Sequence, residues 1–414
     1  MLTRRDSLRL LAGAVVGAAA SPARSAIAAD TPPAWTVTGS SSPSLQPFDD
    51  LLKSFMEARS ISYASLAVVR QGRLVLARGY NSTSGPVLAQ PTSLFRLASL
   101  SKPVTATAIM KLVQDGRLSL SATVAPMLGL NTAVDSRLGD VTVLHLLQHL
   151  GGWDRSVSFD PMYQWDFNIS SRLQVPLPVT QANIMDYTSR YKLDFKPGDR
   201  YAYSNYGYML LGKVIEKVTG LPYATYVQQN VLAPVKITRM TQGRTAQSLR
   251  RPSEIAYYSQ YSGTTVLDNS GAQVPMPYGT FNLENMAAHG AWLSSAVDMA
   301  KFTTIFDAPG LLTSSTIAQV FAPPAVDWSG SYYGMGWSVR PVSGGLNTWH
   351  DGAYPGTSTL MVRRYDGLSW VVLFNQWNDA LGQNYTADID YPLHVAADSV
   401  TSWPTTNLFP SYGL

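Results

Sequence analysis

The sequence predicts an α+β fold, on three observations. Residues 64–69 and 74–80 alternate or run apolar around a Gln71-Gly72 turn. A second group of strand-like segments, 333–340, 347–350, 357–364 and 368–375, crowds the end of the chain. Between these groups the clearest elements are helices. An antiparallel sheet built from both chain ends, flanked by helices and interrupted by a mostly helical insertion, accommodates all three. With 414 residues, 45% of them hydrophobic, there is apolar material for one large domain or two of ordinary size.

Taken in order, residues 1–28 read as an export signal. Thr3-Arg4-Arg5-Asp6-Ser7-Leu8-Arg9 resembles the twin-arginine consensus, residues 10–20 are apolar, and Ala26-Ile27-Ala28 offers a small-residue cleavage site. The apolar run is too short to cross roughly 30 Å of hydrocarbon, so no membrane span is expected in the mature protein, which should be periplasmic or secreted. Residues 29–47, rich in Pro and Ser, are expected to be a linker. A helix is expected over 48–59, then the hairpin at 64–80. Residues 100–113 form the clearest helix, stopped by Asp115-Gly116, with Pro103 tolerated in its opening turn. Helices are also expected at 143–150, at 206–218 (closed by Thr219-Gly220 with Pro222 behind) and at 297–306, before Asp366-Gly367 turns the chain into its last strand. The implied division is an α/β domain of 48–116 and 290–414, with a helical insertion domain of 117–289.

Composition removes several classes of function. The formal charge is +4, but Arg4, Arg5, Arg9 and Arg24 against Asp6 put +3 of it in the first 28 residues. No basic run follows, so nucleic-acid binding has nothing to rest on. The chain has no cysteine, which excludes disulfides, a thiol nucleophile and thiolate metal sites, and suits folding in a reducing cytosol before export. His145 and His149 have metal-ligand spacing, but Leu146 stands where a zincin needs glutamate, and core or capping histidines are the simpler reading. There is no phosphate-cradling glycine loop and no Gly-x-Ser-x-Gly elbow. No cofactor is expected.

The chemistry centres on Ser99-Leu100-Ser101-Lys102 at the head of the 100–113 helix. Side chains three apart share a helix face, so the Lys102 amine can reach the Ser99 hydroxyl. An N-cap serine beside a solvated lysine would give the same four residues. Tyr203-Ser204-Asn205, after the Pro197-Gly198 turn, adds a phenol and an amide. An ammonium at Lys102 would favour the Tyr203 phenolate, and Asn205 can offer an N–H to a substrate carbonyl. A second Ser-x-x-Lys, Ser189 to Lys192, leads into a loop and reads as accidental. Five aromatic residues between 153 and 167 (Trp153, Phe159, Tyr163, Trp165, Phe167) either wall an acyl pocket or pack a core.

At these motifs the chain resembles the serine β-lactamase and penicillin-recognising superfamily, nearest the class C β-lactamases, D-stereospecific peptidases and family VIII carboxylesterases. The resemblance rests on Phe95-Arg96-Leu97-Ala98-Ser99-Leu100-Ser101-Lys102, on residues 141–149, and on Tyr203-Ser204-Asn205-Tyr206-Gly207-Tyr208 with Leu210-Leu211-Gly212, and it covers 48–378. It implies a β-lactamase/transpeptidase-like fold, Ser99 as acylated nucleophile, and Lys102 with Tyr203 as acid/base pair. It also implies an oxyanion hole from the Ser99 and Ala353 N–H groups, with Asn205 and His350 positioning the substrate. The relatives' Lys-Thr-Gly or His-Thr-Gly is here His350-Asp351-Gly352, followed by Ala353. Gly352 allows close substrate approach. An inward Asp351 would repel a carboxylated substrate by about 1 kcal/mol in water, or ~4 at an effective dielectric of 20, at ~4 Å; an outward one would not.

The expectation is a secreted serine hydrolase acting on small neutral esters or amides, with a penicillin-interactive D-peptidase or β-lactamase as the alternative. A non-catalytic binder of cell-wall fragments is the third reading, and the intact Ser, Lys, Tyr and Asn set argues against it. The expected partner is a small-molecule ester, amide or peptide substrate. Whether Lys102 or Tyr203 takes the first proton is left open, because the two titrate together.

Overall fold

The computed structural model describes residues 35–82, 87–378 and 382–414; the expected export signal at 1–28 lies outside them. The strands are β1 (Thr36–Ser40), β2 (Tyr63–Arg70), β3 (Arg73–Asn81), β4 (Phe95–Arg96), β5 (Thr241–Gln242), β6 (Ser262–Thr264), β7 (Gln273–Pro275), β8 (Trp292–Ser294), β9 (Tyr332–Tyr333), β10 (Ser338–Val342), β11 (Gly345–Tyr354), β12 (Thr357–Arg363) and β13 (Leu368–Phe374). The α-helices are α1 (Gln46–Ala58), α2 (Ser101–Gln114), α3 (Val124–Leu128), α4 (Val143–Leu147), α5 (Asp166–Leu173), α6 (Gln181–Thr188), α7 (Asn205–Thr219), α8 (Tyr223–Val227), α9 (Ala296–Thr303), α10 (Ser314–Val320) and α11 (Tyr385–Asp398).

The main sheet is antiparallel in the order β1-β3-β2-β13-β12-β11-β10-β9. Its centre is where the two chain ends meet, with Val371 of β13 opposite Ala67 of β2. The linker expected over 29–47 is corrected at its end. Thr36–Ser40 pairs with β3 from Thr36↔Asn81 to Ser40↔Ala77, and α1 begins at Gln46. An edge strand needs only one partner, and polar Thr and Ser suit an edge with one wet side. The Thr38 hydroxyl donates to the Ala89 carbonyl (2.7 Å) and the Asn81 amide to the Thr36 carbonyl (2.9 Å), which pins the strand.

Strand alternation sends side chains to two different cores. On one face Leu66, Val68, Trp370, Val372 and Phe374 meet Phe48, Leu52 and Phe55 of α1 and Tyr385, Ile389 and Leu393 of α11. Sequence analysis does not single out α11, because Pro392 interrupts its pattern; the apolar stripe at 385, 389 and 393 holds the helix despite that proline. On the other face Ala67, Val69, Met361, Val371 and Leu373 join α9 and the helical region in one continuous core.

Helix α2 sits in the middle of that second core. Every residue from Ser101 to Met110 is buried, so it behaves as a helix enclosed on all sides. Although it falls in the 48–116 part of the chain, its packing partners include α7, α8 and α10 of the helical region and the tail behind it. Residues 34–414 form one compact unit, so the division at 117–289 describes chain path rather than separate cores.

The three-stranded sheet β4-β8-β5 delivers the chain into α2, and Arg96 braces it from below. Its guanidinium is fully buried, donates to the carbonyls of Pro277 (2.6 Å) and Arg244 (3.0 Å), faces Glu254 at 3.7 Å and lies 4.4 Å from the centre of the Tyr257 ring. Breaking a buried pair by removing one partner leaves an uncompensated charge. Arg96→Met is therefore expected to destabilise the protein by about 3–5 kcal/mol, read from urea unfolding midpoints at unchanged slope.

Candidate active site

Ser99 lies in a single 3₁₀ turn, Ala98–Leu100, between β4 and α2, which begins at Ser101, one residue later than the expected start at 100. Ala98 has φ +47°, a left-handed conformation uncommon for a residue with a side chain. The turn is held where it is. Leu97 N–H donates to the Trp292 carbonyl (2.8 Å), and Trp292 N–H donates to the Ser101 hydroxyl (3.2 Å). Ser99 keeps partial exposure, whereas the Lys102 side chain is completely buried.

The Lys102 amine has three neighbours at hydrogen-bond distance: Ser99 Oγ (3.1 Å), Asn205 Oδ1 (2.8 Å) and the His289 carbonyl oxygen (3.1 Å). Burial pushes its pKa well below the ordinary lysine value; Asp160 and Asp351 oppose that shift and Arg155 adds to it. The last two neighbours are carbonyl oxygens, which only accept. A neutral amine gives its two N–H groups to them and turns its lone pair on Ser99. The geometry is that of a base aimed at one hydroxyl.

Tyr203 and Asn205 arrive together because Ser204 caps α7. The Ser204 hydroxyl accepts the Gly207 N–H (3.1 Å), so Asn205 is the first helical residue and Tyr203 is the last of the loop. His149 clamps this corner. Its carbonyl accepts from Ala202 N–H (2.9 Å), its Nδ1 accepts from Ser204 N–H (3.1 Å), and its ring lies 4.3 Å from the Tyr203 ring. Ser99 acts on the Tyr203 phenol to lower its pKa, and Lys102 Nζ lies 4.7 Å from the ring centre. The expectation that an ammonium would draw Tyr203 toward phenolate is not met. Burial dominates and raises the phenol well above its ordinary value, against the lowering by Ser99.

The far wall is β11. Its pairing with β10 ends at Ser338↔Trp349, so from 350 onward β11 presents an open edge with alternate N–H groups free of that partner. The Ser99 turn closes on this edge. A Cβ on Gly352 would lie 2.6 Å from the Leu97 carbonyl oxygen, 2.6 Å from Thr359 Oγ1 and 2.8 Å from Ser99 N, so only glycine fits. His350 shares that face. Its Nδ1–H donates to the Asp351 carbonyl (2.7 Å), leaving Nε2 to accept from the Tyr333 hydroxyl (2.9 Å), and burial brings its pKa down to about 4. Both ring nitrogens are engaged within the protein, so His350 supports the wall, and the expected role of positioning the substrate has no free ring nitrogen to work through. Ala353 is exposed on the edge.

Asp351 points the other way. It pairs with Leu360, whose side chain belongs to the core under α11, and its charge raises the pKa of Asp390 on that helix. Its carboxylate also raises Tyr203 and His350 through space, as a lesser contribution than burial.

Sequence reasoning missed Asp160, which accepts from Asn205 Nδ2 at 2.6 Å, and Tyr333 and His289. It also missed Arg155, whose exposed guanidinium stands 5.2 Å from the Tyr203 ring centre. None carries a local signal, because each acts across a gap in sequence. The 153–167 aromatic residues divide. Phe159 and Trp165 stack on each other (5.1 Å) and against Tyr187, Trp153 packs on Tyr206, and Phe167 is exposed. Tyr163 alone of the five packs against the small cluster of Ala98, Phe281, Leu283, Met286, Ala291 and Tyr354 beside the nucleophile turn. His145 accepts the Thr142 N–H in a capping box, as the capping reading has it.

A seryl hydroxyl beside a buried lysine and a half-buried tyrosine, on an α+β scaffold with one strand edge left open, is a site of serine-hydrolase type. The chain belongs to the Beta-lactamase family, whose sequence model matches residues 48–390. It is 28% identical over 299 residues to penicillin-binding protein 4* of Bacillus subtilis (strain 168), covering 70% of this chain and 62% of that protein. It is 30% identical over 203 residues to Protein flp of Staphylococcus aureus (strain MW2), covering 48% of this chain and 38% of that one. The chain thus spans less than two thirds of the length of these curated relatives. Among solved structures, the octameric penicillin-binding protein homologue from Pyrococcus abyssi superposes with a TM-score of 0.66 at 24% identity, covering 87% of this chain and 79% of that one. A D-amino acid amidase from Ochrobactrum anthropi SV3 does so with a TM-score of 0.66 at 21% identity, covering 87% and 99%. These likenesses establish the shared fold.

Two outcomes are expected. Gly352→Ala should lower kcat by about 100-fold or more, because the added methyl displaces the Ser99 backbone from the β11 edge; steady-state kinetics checks this. Lys102→Arg should abolish acylation of Ser99 at any pH from 6 to about 10, because a guanidinium keeps its proton; mass spectrometry of an acylating probe reads the loss.

Proposed function

We propose that this chain is a secreted serine hydrolase that forms an acyl-enzyme on small ester or amide substrates. The observation that carries the reading is the fully buried Lys102 amine, 3.1 Å from Ser99 Oγ with its other two neighbours restricted to accepting. Ser99 Oγ attacks the substrate carbonyl carbon as its proton passes to the Lys102 amine. The carbonyl π bond breaks onto oxygen, where the backbone N–H groups of Ser99 and Ala353 receive the charge. In this reading the second Asn205 amide hydrogen holds the acyl carbonyl or side-chain amide of the substrate. As the carbonyl re-forms and the C–O or C–N bond to the leaving group breaks, the protonated Lys102, through the Tyr203 hydroxyl, gives its proton to the departing oxygen or nitrogen, and the alcohol or amine leaves. Water then repeats the sequence on the acyl-enzyme, with the same groups in reverse roles.

No metal or cofactor is invoked at any step. An amide substrate, with an amine as the leaving group, suits the names of two fold relatives, a D-amino acid amidase and a D-stereospecific amidohydrolase from Streptomyces sp.. The second reading, a penicillin-interactive peptidase or β-lactamase, gains from one observation. Asp351 lies on the α11 face, so the repulsion it would exert on a substrate carboxylate is weaker than an inward carboxylate would give.

Intact-mass detection of a covalent adduct, run against a p-nitrophenyl ester panel and nitrocefin in parallel, tests both. The expected result is a single adduct on Ser99 with turnover of short esters, and a Ser99→Ala variant reduced by about 10³-fold or more. A Ser99→Ala variant that keeps near-wild-type turnover would sink the proposal, and nitrocefin turnover exceeding ester turnover would select the second reading.

A further inference from the structure

Asp160 lies in the loop before α5, forty-five residues from Asn205 in sequence, and both its carboxylate oxygens are used. Oδ1 accepts the Met162 N–H (3.0 Å) in a local turn, and Oδ2 accepts from Asn205 Nδ2 (2.6 Å). The Asn205 amide has two unlike ends, and nothing in its own covalent structure decides which faces Lys102. Asp160 decides it. A carboxylate only accepts, so the NH₂ end must face Asp160 and Oδ1 must face Lys102, where it lies at 2.8 Å. We propose that Asp160 is a positioning residue of the reaction, setting the orientation of the Asn205 amide and through it the direction of the Lys102 lone pair.

The inference rests on the hydrolase reading above, and it deepens that reading at the same site. Were the amide reversed, its NH₂ would confront the Lys102 amine. A neutral amine would then turn its lone pair to Asn205 and away from the Ser99 hydroxyl, and the second amide hydrogen would leave the substrate side. The protonated amine would meet two donors face to face. Both outcomes disable the base without moving it.

Asparagine at 160 separates this role from the turn. Its Oδ1 can still accept the Met162 N–H, but its NH₂ then meets the Asn205 NH₂, so the amide must reverse or lose its partner. The groups that act on Lys102 from every side are Asp160 and Arg155 from the loop, Asp351 and His350 from β11, Tyr203 ahead of α7, and His149 and His289. Of the charged ones Asp160 has the largest influence and favours the ammonium. Its neutralisation lowers the Lys102 pKa further, so the acid limb of kcat/KM, on which activity falls as Lys102 takes a proton, moves to lower pH.

The experiment measures pH profiles and melting temperatures for Asp160→Asn, Asp160→Ser, Asn205→Ala and the double variant Asp160→Asn/Asn205→Ala, with wild type labelled at Ser99 by a fluorophosphonate. Serine keeps the turn through its hydroxyl and is too short to reach Asn205. The expected result is a loss of about tenfold or more in kcat with Asp160→Asn and Asp160→Ser, little change in melting temperature, and an acid limb displaced to lower pH. In the Asn205→Ala background the Asp160→Asn change should cost nothing further, because the group it acts through is gone. Equal losses in both backgrounds, unchanged kcat, or unfolding of both position-160 variants would each overturn the proposal. Absence of Ser99 labelling in wild type would instead strike the hydrolase reading, which keeps the two failures apart.

Discussion

An amine closed off from water, with two of its three neighbours able only to accept, is the constraint on which the rest of the site depends. Burial removes the hydration that an ammonium needs, and the Asn205 and His289 oxygens take the two hydrogens that a neutral amine retains. The remaining lone pair has one direction to face, and Ser99 Oγ is there. A solvated lysine at the same spacing would have none of this directionality, since its three hydrogens and its water shell rotate freely. In the proposed reaction the activation of Ser99 therefore comes from the packing around α2 more than from the Ser-x-x-Lys spacing itself.

The fold supplies that packing from elements far apart in sequence. Helix α2 is enclosed on every side, with α7 bringing Asn205 to one flank and the segment before β8 bringing the His289 carbonyl to another. The nucleophile turn is pressed onto the open edge of β11, where Gly352 allows backbone to approach backbone. Thr359 on the neighbouring strand completes the junction, its hydroxyl donating to the Leu97 carbonyl (2.8 Å). Arg96, immediately before the turn, anchors it to the loops that carry Pro277 and Arg244. Sheet, helical region and loops thus meet at one short turn, which explains why the insertion and the sheet share a core.

Much of this was legible in the sequence, for identifiable reasons. The β2–β3 hairpin, α2, α7 and the C-terminal strands have strong periodicity and clear stop signals, so composition and spacing locate them. Ser99, Lys102, Tyr203 and Asn205 are legible because their motifs are compact. The edge strand β1 is not, since its Thr and Ser content reads as a linker until β3 is placed beside it. Helix α11 is hidden by Pro392. The environment of each site residue is the least legible part. Tyr203 reads as a phenolate until its desolvation is known, His350 reads as positioning the substrate until Tyr333 is found on its ring, and Asp160 gives no hint of Asn205 from its own surroundings. Orientation across a strand is equally non-local: Asp351 is assigned to the α11 face only by its pairing with Leu360.

The same burial that prepares the base works against the stability of the fold. Lys102 binds a proton less readily in the folded chain than in the unfolded one, so the unfolded state takes up protons that the folded state refuses. The resulting penalty is fully present below the lowered pKa and fades as pH rises toward the ordinary lysine value of 10.5. Other local costs gather in the same few residues. Ala98 holds a left-handed backbone conformation, and the Nε2 atoms of His149 and His289 are buried with no hydrogen-bond partner among the described residues. Each such feature opposes folding by about 1–3 kcal/mol, and all of them touch Ser99, Lys102 or Tyr203 or lie one residue away. The apolar cores on both faces of the sheet carry only an unpartnered indole N–H each, at Trp337 and Trp370 among the described residues, and it is their burial that holds a strained, underhydrated pocket in a single geometry. An apolar residue of similar length at 102 would remove this penalty, which is therefore the cost of holding an amine against Ser99 for the proposed chemistry.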